Sequence, residues 1–469
     1  MNVLEKTALN SMKIAHLFNL NFSYRLILLI VPLLLVTGCG HVDPEIKLSL
    51  ILLIAIVSFI FIFTKPIIGI YVVAIISTIF SPSIDIGFAN LYTHQWVILI
   101  ALLASISSGL ILGNLHTKFK CEINVPMIIF VGSLLLSMSH APHMVTGIKS
   151  FLYIGVLFAS YYLILLCVNS EKHIKIFIGL LVIATSIVCI ISLGSHGSGR
   201  LGSIVLRNPN SFGNFLSLMI PFCLSLFFYG RFDRKKRLFL SFSLILMFIS
   251  LVLTFSRSAW VGVFAGLLCL SVFRPKAPLV LFLFVIISAI FLVSPINKRI
   301  FKDIDDPGAQ YRIVKAKIAY NEFKKHPILG SGLGSFHYGA QFSEIWAYRA
   351  HSTLENNYLL MLAEGGIIEF LAFLYLIIAF GRRAIVFLKR VSDPFLYSVL
   401  LGSLMSLIAT LAAGMFEDTL FFPKNNWLIG MFMGIVMVVG RMYEESLGTE
   451  NKLEVKTGGE VQPFQMDMA

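Results

Sequence analysis

A succession of apolar runs constrains this chain more than any other feature of its sequence. A helix needs about 17–25 mostly apolar residues to cross the hydrocarbon core of a bilayer. Runs that approach or reach this length lie at 25–37, 46–63, 66–80, 95–113, 125–139, 150–168, 174–193, 211–229, 237–255, 258–273, 278–294, 358–380, 396–415 and 426–441. Because 57% of the 469 residues are hydrophobic and only 13% are charged, a soluble globular protein is excluded.

The runs predict an all-α polytopic integral membrane protein with about 12–14 transmembrane helices. The lower number applies if the 66–80 segment, or the pair of runs that meets at 256–258, forms a re-entrant or broken helix. One large polar interval interrupts the pattern before the last three runs. We therefore divide the chain into an N-terminal segment at 1–24, membrane helices at 25–294, a large loop at 295–357, membrane helices at 358–441 and a tail at 442–469.

The distribution of positive charge predicts which side of the membrane the large loop faces. With the N-terminus inside, 22 lysines and arginines fall in inner segments and only six in the short outer loops. Positive residues in short loops mark the cytoplasmic side. Both termini are therefore expected in the cytoplasm. The large loop, Arg257 and the connections at 194–210 and 414–424 are expected outside it.

Two arginines are exceptions to this charge bias, because they lie in the outer connection before the 211–229 run. Arg200 and Arg207 precede Asn208-Pro209-Asn210-Ser211, a sequence typical of a turn that leads into a helix N-cap. The turn explains the asparagines and the serine, but not the two positive charges. Positive side chains beside a helix N-terminus favour the binding of an anion.

Arg257 lies in a very short turn between two apolar runs, so it must stay near the membrane surface. An arginine at membrane depth costs about 2.5–3.5 kcal/mol on insertion scales, and such residues usually face a cavity and have a function. Alternatively, Arg257 is an interfacial residue of a tight turn, with Trp260 as an aromatic anchor. Arg312 lies on a helix predicted at about 310–325 within the loop, where a solvated charge is the simplest interpretation.

The end of the loop contains the strongest local pattern, His351-Ser352-Thr353-Leu354-Glu355-Asn356. Ser352-x-x-Glu355 before an apolar run predicts a capping box, which gives Glu355 a structural role. His351 then precedes the helix, where an imidazole can act as a general base near neutral pH.

Metal and nucleotide chemistry have no support in the sequence. The histidines and carboxylates lack the spacing of a metal site, and the glycine-rich turn at 330–334 lacks the spacing of a nucleotide-binding loop. The basic residues form short clusters between apolar runs, which is typical of membrane orientation. No metal, cofactor or nucleic acid is therefore expected.

Four segments between about residues 200 and 380 form a set when they are taken in order. They are Arg207-Asn208-Pro209-Asn210 with Pro221; Ser256-Arg257-Ser258-Ala259-Trp260; Arg312 with His326-Pro327-Ile328-Leu329-Gly330-Ser331-Gly332; and 351–370 with Ala363-Glu364-Gly365-Gly366. Together they resemble the O-antigen ligase and polymerase family of bacterial envelope glycosyltransferases. The resemblance implies a GT-C-like protein of the bacterial inner membrane.

The resemblance also implies an activity and roles for single residues. Family members transfer a glycan from undecaprenyl diphosphate to an acceptor hydroxyl on the periplasmic side, with inversion at the sugar carbon and without a metal. The resemblance implies that Arg257 and Arg312 bind the donor diphosphate, and we expect Arg200 and Arg207 of the predicted anion site to join them. We expect Asn210 and Asn356 to position the substrates.

The catalytic base stays open between two residues. The family carries a histidine in a His-Asn-x-Tyr-Leu motif, and alignment on Asn356-x-Tyr358-Leu359 places Glu355 at the histidine position. His351 stands four residues earlier. We expect His351 to take the acceptor proton and Glu355 mainly to cap the helix.

The sequence leaves the acceptor open among lipid A-core, a growing polysaccharide and a protein. The last of these would make the chain a protein O-oligosaccharyltransferase. A flippase of lipid-linked glycans and a non-catalytic scaffold are alternatives from other classes. Transporters usually carry paired intramembrane charges in two related halves, and this sequence has few such charges and no evident repeat.

Overall fold

The computed structural model describes residues 60–79, 83–85, 90–113, 115, 119, 121–197, 199–203, 206, 208–273, 307–336, 354–421 and 423–457. Its longer helices are α1 (Ile67–Ile79), α2 (Thr93–Ile111), α3 (Asn124–Ser139), α4 (Met144–Cys167), α5 (Glu171–Gly194), α6 (Pro209–Tyr229), α7 (Arg234–Thr254), α8 (Arg257–Phe273), α9 (Pro307–Lys325), α10 (Asn357–Arg390), α11 (Pro394–Ala413) and α12 (Pro423–Thr457). Strands β1 (Ser83–Asp85) and β2 (Asn90–Tyr92) form an antiparallel hairpin.

Eight helices of the described residues are long and apolar enough to cross a membrane, namely α2, α4, α5, α6, α7, α10, α11 and α12. Helices α1, α3 and α8 are apolar but shorter. Every apolar run predicted within the described residues forms a helix, so the all-α polytopic membrane fold is confirmed. The runs at 25–37 and 278–294, with most of 46–63, lie outside the described residues, and the predicted total of 12–14 stays a prediction.

Small residues let the central helices approach closely. Gly262 and Gly266 lie four residues apart on α8, which packs against α11, and a Cβ at Gly262 would lie 2.8 Å from the carbonyl oxygen of Ala409. Gly430 and Gly434 have the same spacing on α12, where it packs against α4. Such pairs are typical of membrane-helix interfaces, because close van der Waals packing drives association there.

The glycine-rich turn of the loop binds an interruption in α10. Gly366 has φ 65° and ψ −162°, so the helix is broken at this residue. Two backbone N–H groups of the turn donate to carbonyls beside the break: Ser331 to Ala363 and Gly332 to Glu364, both at 2.9 Å. We name the two segments that meet here, 326–336 and 363–366, the glycine clasp.

The side chain of Glu364 completes this clasp. Its two buried carboxylate oxygens accept the N–H groups of Gly334 at 2.9 Å and Phe336 at 3.1 Å. On α3, the Ser137 hydroxyl donates to the Glu364 carbonyl at 2.8 Å. The loop helix α9, which confirms the helix predicted at 310–325, packs on the first turns of α10 and leads directly into the clasp.

The N-terminus of α10 differs from the sequence prediction. Asn356 is the N-cap, and its Oδ1 accepts the N–H groups of Tyr358 at 3.0 Å and Leu359 at 2.9 Å. Glu355 therefore precedes the cap, and the capping box of Ser352 and Glu355 is wrong. Asparagine caps a helix as well as serine does, and the carboxylate of Glu355 is bound elsewhere.

Candidate active site

The N-termini of α6, α8 and α12 meet at one end of the bundle. The Asn425 side chain of α12 donates to the Ser211 carbonyl of α6 at 3.0 Å, and the Ser258 hydroxyl of α8 donates to Asn214 of α6 at 3.4 Å. A helix N-terminus carries a partial positive charge and unpaired N–H groups. This end of the bundle therefore favours anions.

The start of α10 joins this end through the buried Asn357. Its N–H donates to the Gly414 carbonyl at 2.9 Å, and its Nδ2 donates to the Thr419 hydroxyl at 2.8 Å. Both partners belong to the connection between α11 and α12, at 414–422. The residues just before α10 are thereby held against this connection.

Arg200 and Asn210 join three separate segments. The Arg200 Nε donates to the Thr254 carbonyl at the end of α7, at 2.9 Å, and its Nη2 donates to Oδ1 of Asn210. The Nδ2 of Asn210 donates in turn to the carboxyl group of Glu417. A continuous chain of hydrogen bonds thus runs from the turn before α8 to the 414–422 connection.

Arg312 extends this chain to the loop helix. Its Nε donates to Oε2 of Glu355, and its Nη2 lies 3.6 Å from Oε1 of Glu417. One turn further along α9, the buried Lys315 places its Nζ 3.7 Å from Oε1 of Glu355. Arg312 is therefore part of an ion-pair network rather than a solvated charge. We name this set the cationic network; its members are Arg200, Asn210, Arg312, Lys315, Glu355 and Glu417.

Burial controls the charge state of the network. It raises the pKa of Glu417 to about 8, and the carboxylates of Asp418 and Glu355 add to the effect, while Arg312 opposes it. Glu417 is therefore mostly protonated at neutral pH and offsets little of the positive charge of Arg312. Burial also lowers the pKa of Lys315, and Glu355 partly offsets that change.

Arg257 lies beside the network as the first residue of α8. Its side chain is exposed and pairs with no carboxylate among the described residues. The turn before it packs on Gly213 of α6, where a Cβ would lie 2.8 Å from the Cβ of Ser256. Because Arg200 bonds the carbonyl of Thr254 in the same turn, Arg257 is held close to the network.

Most of the predicted site residues that the structure describes come together here. Those in the network or beside it are Arg200, Asn210, Arg257, Arg312 and Glu355. Asn356 is adjacent, and its Nδ2 donates to the Met415 carbonyl at 2.9 Å. His351 and Arg207 lie outside the described residues, so their roles stay predictions.

Two members of the network were missed by the sequence reasoning. Glu417 is 7% exposed and contacts both Asn210 and Arg312, while Lys315 is 1% exposed. A signal for Glu417 was present, because Glu417 and Asp418 form an acidic pair in a short connection on the side predicted for the arginines. Lys315 gave no such signal, since basic residues are frequent on the loop helix.

Fold and site together define a polytopic membrane protein with a positively charged network at one end of its helix bundle. Residues 242–374, from α7 through α8 and α9 into α10, match the protein family described as O-antigen ligase. The match confirms the resemblance to the O-antigen ligase and polymerase family, and it indicates glycan transfer of this general type. No curated protein matches the chain. Arg257, Arg312, Lys315 and Glu355 lie within the matched region, and Arg200, Asn210 and Glu417 outside it.

Proposed function

We propose that this protein transfers a glycan from undecaprenyl diphosphate to an acceptor hydroxyl at the periplasmic face of the bacterial inner membrane. The transfer inverts the sugar carbon and needs no metal ion. The observation that supports this most is the cationic network, which gathers positive groups from separate segments at one end of the bundle. The apolar helices would hold the polyprenyl tail, with its head group at that end.

The periplasmic location rests on the charge distribution of the sequence, and reporter fusions test it. A reporter that is active only outside the cytoplasm should be active when fused near Gly334 and silent when fused near Arg234. The reverse pattern would put the network on the cytoplasmic side.

The diphosphate is the part of the donor that suits the network. In the reaction, the acceptor oxygen attacks the first sugar carbon as the carbon–oxygen bond to the diphosphate breaks. The electron pair leaves with undecaprenyl diphosphate, and attack from the opposite side inverts the carbon. Guanidinium groups at Arg257 and Arg312 can stabilise the leaving charge through paired hydrogen bonds, which makes a metal unnecessary.

Arg312 keeps donors for this task despite its contacts. Its Nε is bound by Glu355, but its Nη2 is 3.6 Å from Glu417, which is longer than a hydrogen bond. Because Glu417 is mostly protonated at neutral pH, it competes weakly with a phosphate. The terminal nitrogens of Arg312 are thus the donors that we assign to the diphosphate.

Glu355 is assigned a positioning role and His351 the role of base. Both oxygens of Glu355 face cations, Arg312 at Oε2 and Lys315 at Oε1. A carboxylate that is engaged in this way orients the guanidinium and is poorly placed to receive a proton. His351, four residues earlier in the chain, would take the proton of the acceptor hydroxyl.

The test is reconstitution of the purified protein in proteoliposomes with an undecaprenyl-diphosphate-linked glycan. Arg257→Lys and Arg312→Lys should each lower transfer about 100-fold or more, because the lysine ammonium is a point charge that cannot form the paired hydrogen bonds of a guanidinium group. Arg382→Lys is the matched control, since Arg382 is an exposed arginine near the far end of α10. Transfer near the wild-type rate by both test variants would exclude the assigned diphosphate site.

A further inference from the structure

A cavity of about 160 Å³ lies beside the cationic network. Its walls come from the first turns of α4, the end of the glycine clasp, the start of α10 and the 414–422 connection. Two lining residues adjoin the network along the chain: Asp418 follows Glu417, and Leu354 precedes Glu355. A molecule in this cavity would therefore lie next to the groups assigned to the donor.

The wall formed by α4 is polar, unlike most of that helix. Thr146, Lys149, Ser150 and Tyr153 line it, and their spacing of three and four residues places them on one helix face. The half-buried Lys149 ammonium lies over the Tyr153 ring, 5.8 Å from its centroid, and pairs with no carboxylate among the described residues. Polar side chains that face a cavity from a membrane-spanning helix are typical of a functional site.

We propose that this cavity receives the terminal sugar ring of a saccharide acceptor and presents one of its hydroxyls to the network. The proposal rests on the proposed function. The Asp418 carboxylate can accept hydrogen bonds from ring hydroxyls, and the Lys149 ammonium can donate to them. The aromatic rings of Tyr153, Phe336 and Phe421 give apolar walls for the carbon face of a sugar.

The size of the cavity limits the occupant to a single ring. Sites for drug-sized ligands have volumes of about 300–1,000 Å³, and this cavity has about 160 Å³. The remainder of an acceptor chain must therefore extend out of it. The cavity would select the residue that receives the glycan rather than the whole acceptor.

The lining also favours a saccharide over a protein acceptor. A serine or threonine side chain brings one hydroxyl, which can bond the Lys149 ammonium or the Asp418 carboxylate but is too small to reach both. Hydrogen bonds that one acceptor makes to the lining and another cannot make are a source of discrimination. A sugar ring carries several hydroxyls and can satisfy both groups together.

The test measures acceptor and donor kinetics separately, in proteoliposomes that contain the full-length protein and the lipid-linked donor. The acceptor probes are octyl glucoside, octyl galactoside and an acetylated serine peptide. The cavity variants are Lys149→Gln and Tyr153→Leu. Lys175→Gln is the matched control, because Lys175 of α5 lies over the Phe395 ring, 5.1 Å from its centroid, outside the cavity.

We expect the wild type to glycosylate an octyl glycoside in preference to the peptide. Each cavity variant should raise the KM for that glycoside about tenfold or more, with an unchanged KM for the donor and unchanged hydrolysis of the donor by water. The control should match the wild type in the KM for the glycoside, the KM for the donor and the hydrolysis of the donor. Unchanged acceptor KM in both cavity variants, transfer to the peptide alone, or donor hydrolysis without transfer to either glycoside would overturn the proposal. Failure of the wild type to release glycan from the donor at all would instead overturn the proposed function.

Discussion

The glycine clasp and the cationic network both join the large loop to α10, yet they differ in how their polar groups are satisfied. In the clasp, the carbonyls of Ala363 and Glu364 and both carboxylate oxygens of Glu364 accept hydrogen bonds from the loop or from α3. In the network, cations predominate at neutral pH, and the nearby Arg257 pairs with no described carboxylate. These polar groups of the clasp are therefore satisfied within the protein, whereas the network carries excess positive charge that the proposed function assigns to the donor diphosphate.

This difference shows that the glycine-rich motif serves the fold. The glycine-rich turn at 330–334 resembles a ligand-binding loop in composition. Its backbone N–H groups, however, bind the carbonyls beside the break in α10. The network consists of residues from distant segments, and no sequence motif contains two of them. The comparison predicts that changes in the clasp remove the protein, whereas changes in the network remove the activity.

The largest effect is expected from Gly330→Ala in the clasp. Gly330 has φ 71°, and a Cβ there would overlap the Glu364 carbonyl. Strained backbone of this kind costs about 1–3 kcal/mol, and the steric overlap adds to it. Membrane-inserted, folded protein should fall well below the wild-type level, as measured by size-exclusion chromatography in detergent.

Gly132→Ala is the control for this variant, because a Cβ on that α3 glycine meets no atom within 4 Å. Wild-type amounts of folded Gly330→Ala protein with lost transfer would contradict the structural role of the clasp and would place it in the site.

The second effect separates the two candidate bases within the network region. His351→Ala should lower transfer about 10²–10⁴-fold without loss of folded protein, because the acceptor proton then has no base. Glu355→Gln should retain substantial transfer, since the amide oxygen can still accept a hydrogen bond from Arg312. An inactive Glu355→Gln beside an active His351→Ala would make Glu355 the base.

The third effect concerns pH and depends on Glu417. The pKa of Glu417 is raised from its ordinary 4.5 to about 8, so its carboxylate forms only as the pH rises through that value. The new charge then competes with the donor for Arg312, and the KM for the donor should rise by up to about tenfold per pH unit above 8.

Glu417→Gln should flatten this profile, because glutamine cannot ionise. The folding stability of the wild type should also fall as the pH rises. Between about pH 4.5 and 8, only the folded state keeps this proton, so a rise in pH through this window destabilises the fold. A rise in the donor KM above pH 8 that persists in Glu417→Gln would assign the titration to another group.

The smallest effect is expected at the N-cap of α10. Asn356→Ala removes the acceptor for the N–H groups of Tyr358 and Leu359 and should lower the free energy of unfolding by about 0.5–2 kcal/mol. Asn356→Ser should restore most of it, as measured by thermal unfolding in detergent. A loss of transfer at unchanged Tm would favour the substrate-positioning role that the sequence analysis predicts for Asn356.

The fold could be predicted from the sequence much further than the site. A segment that crosses the bilayer must be apolar and must satisfy its backbone hydrogen bonds within itself, so an apolar run predicts a helix directly. Each run within the described residues forms a helix. The capping box failed because Ser352 and Asn356 both suit an N-cap, and local pattern cannot decide between them. The acidic pair Glu417-Asp418 was visible in the sequence, but the partners of Glu417, Asn210 and Arg312, are more than 100 positions away in the chain. Only tertiary packing brings them together.

The most direct test of the account is the stereochemistry and metal dependence of the transfer itself. The purified protein is incubated with an undecaprenyl-diphosphate-linked glycan of known anomeric configuration, an octyl glycoside acceptor and excess EDTA, and the new linkage is identified by NMR. We predict full transfer with inversion at the sugar carbon, and loss of that transfer in Arg312→Lys. Retention of configuration, or activity that EDTA abolishes and a divalent cation restores, would contradict the account.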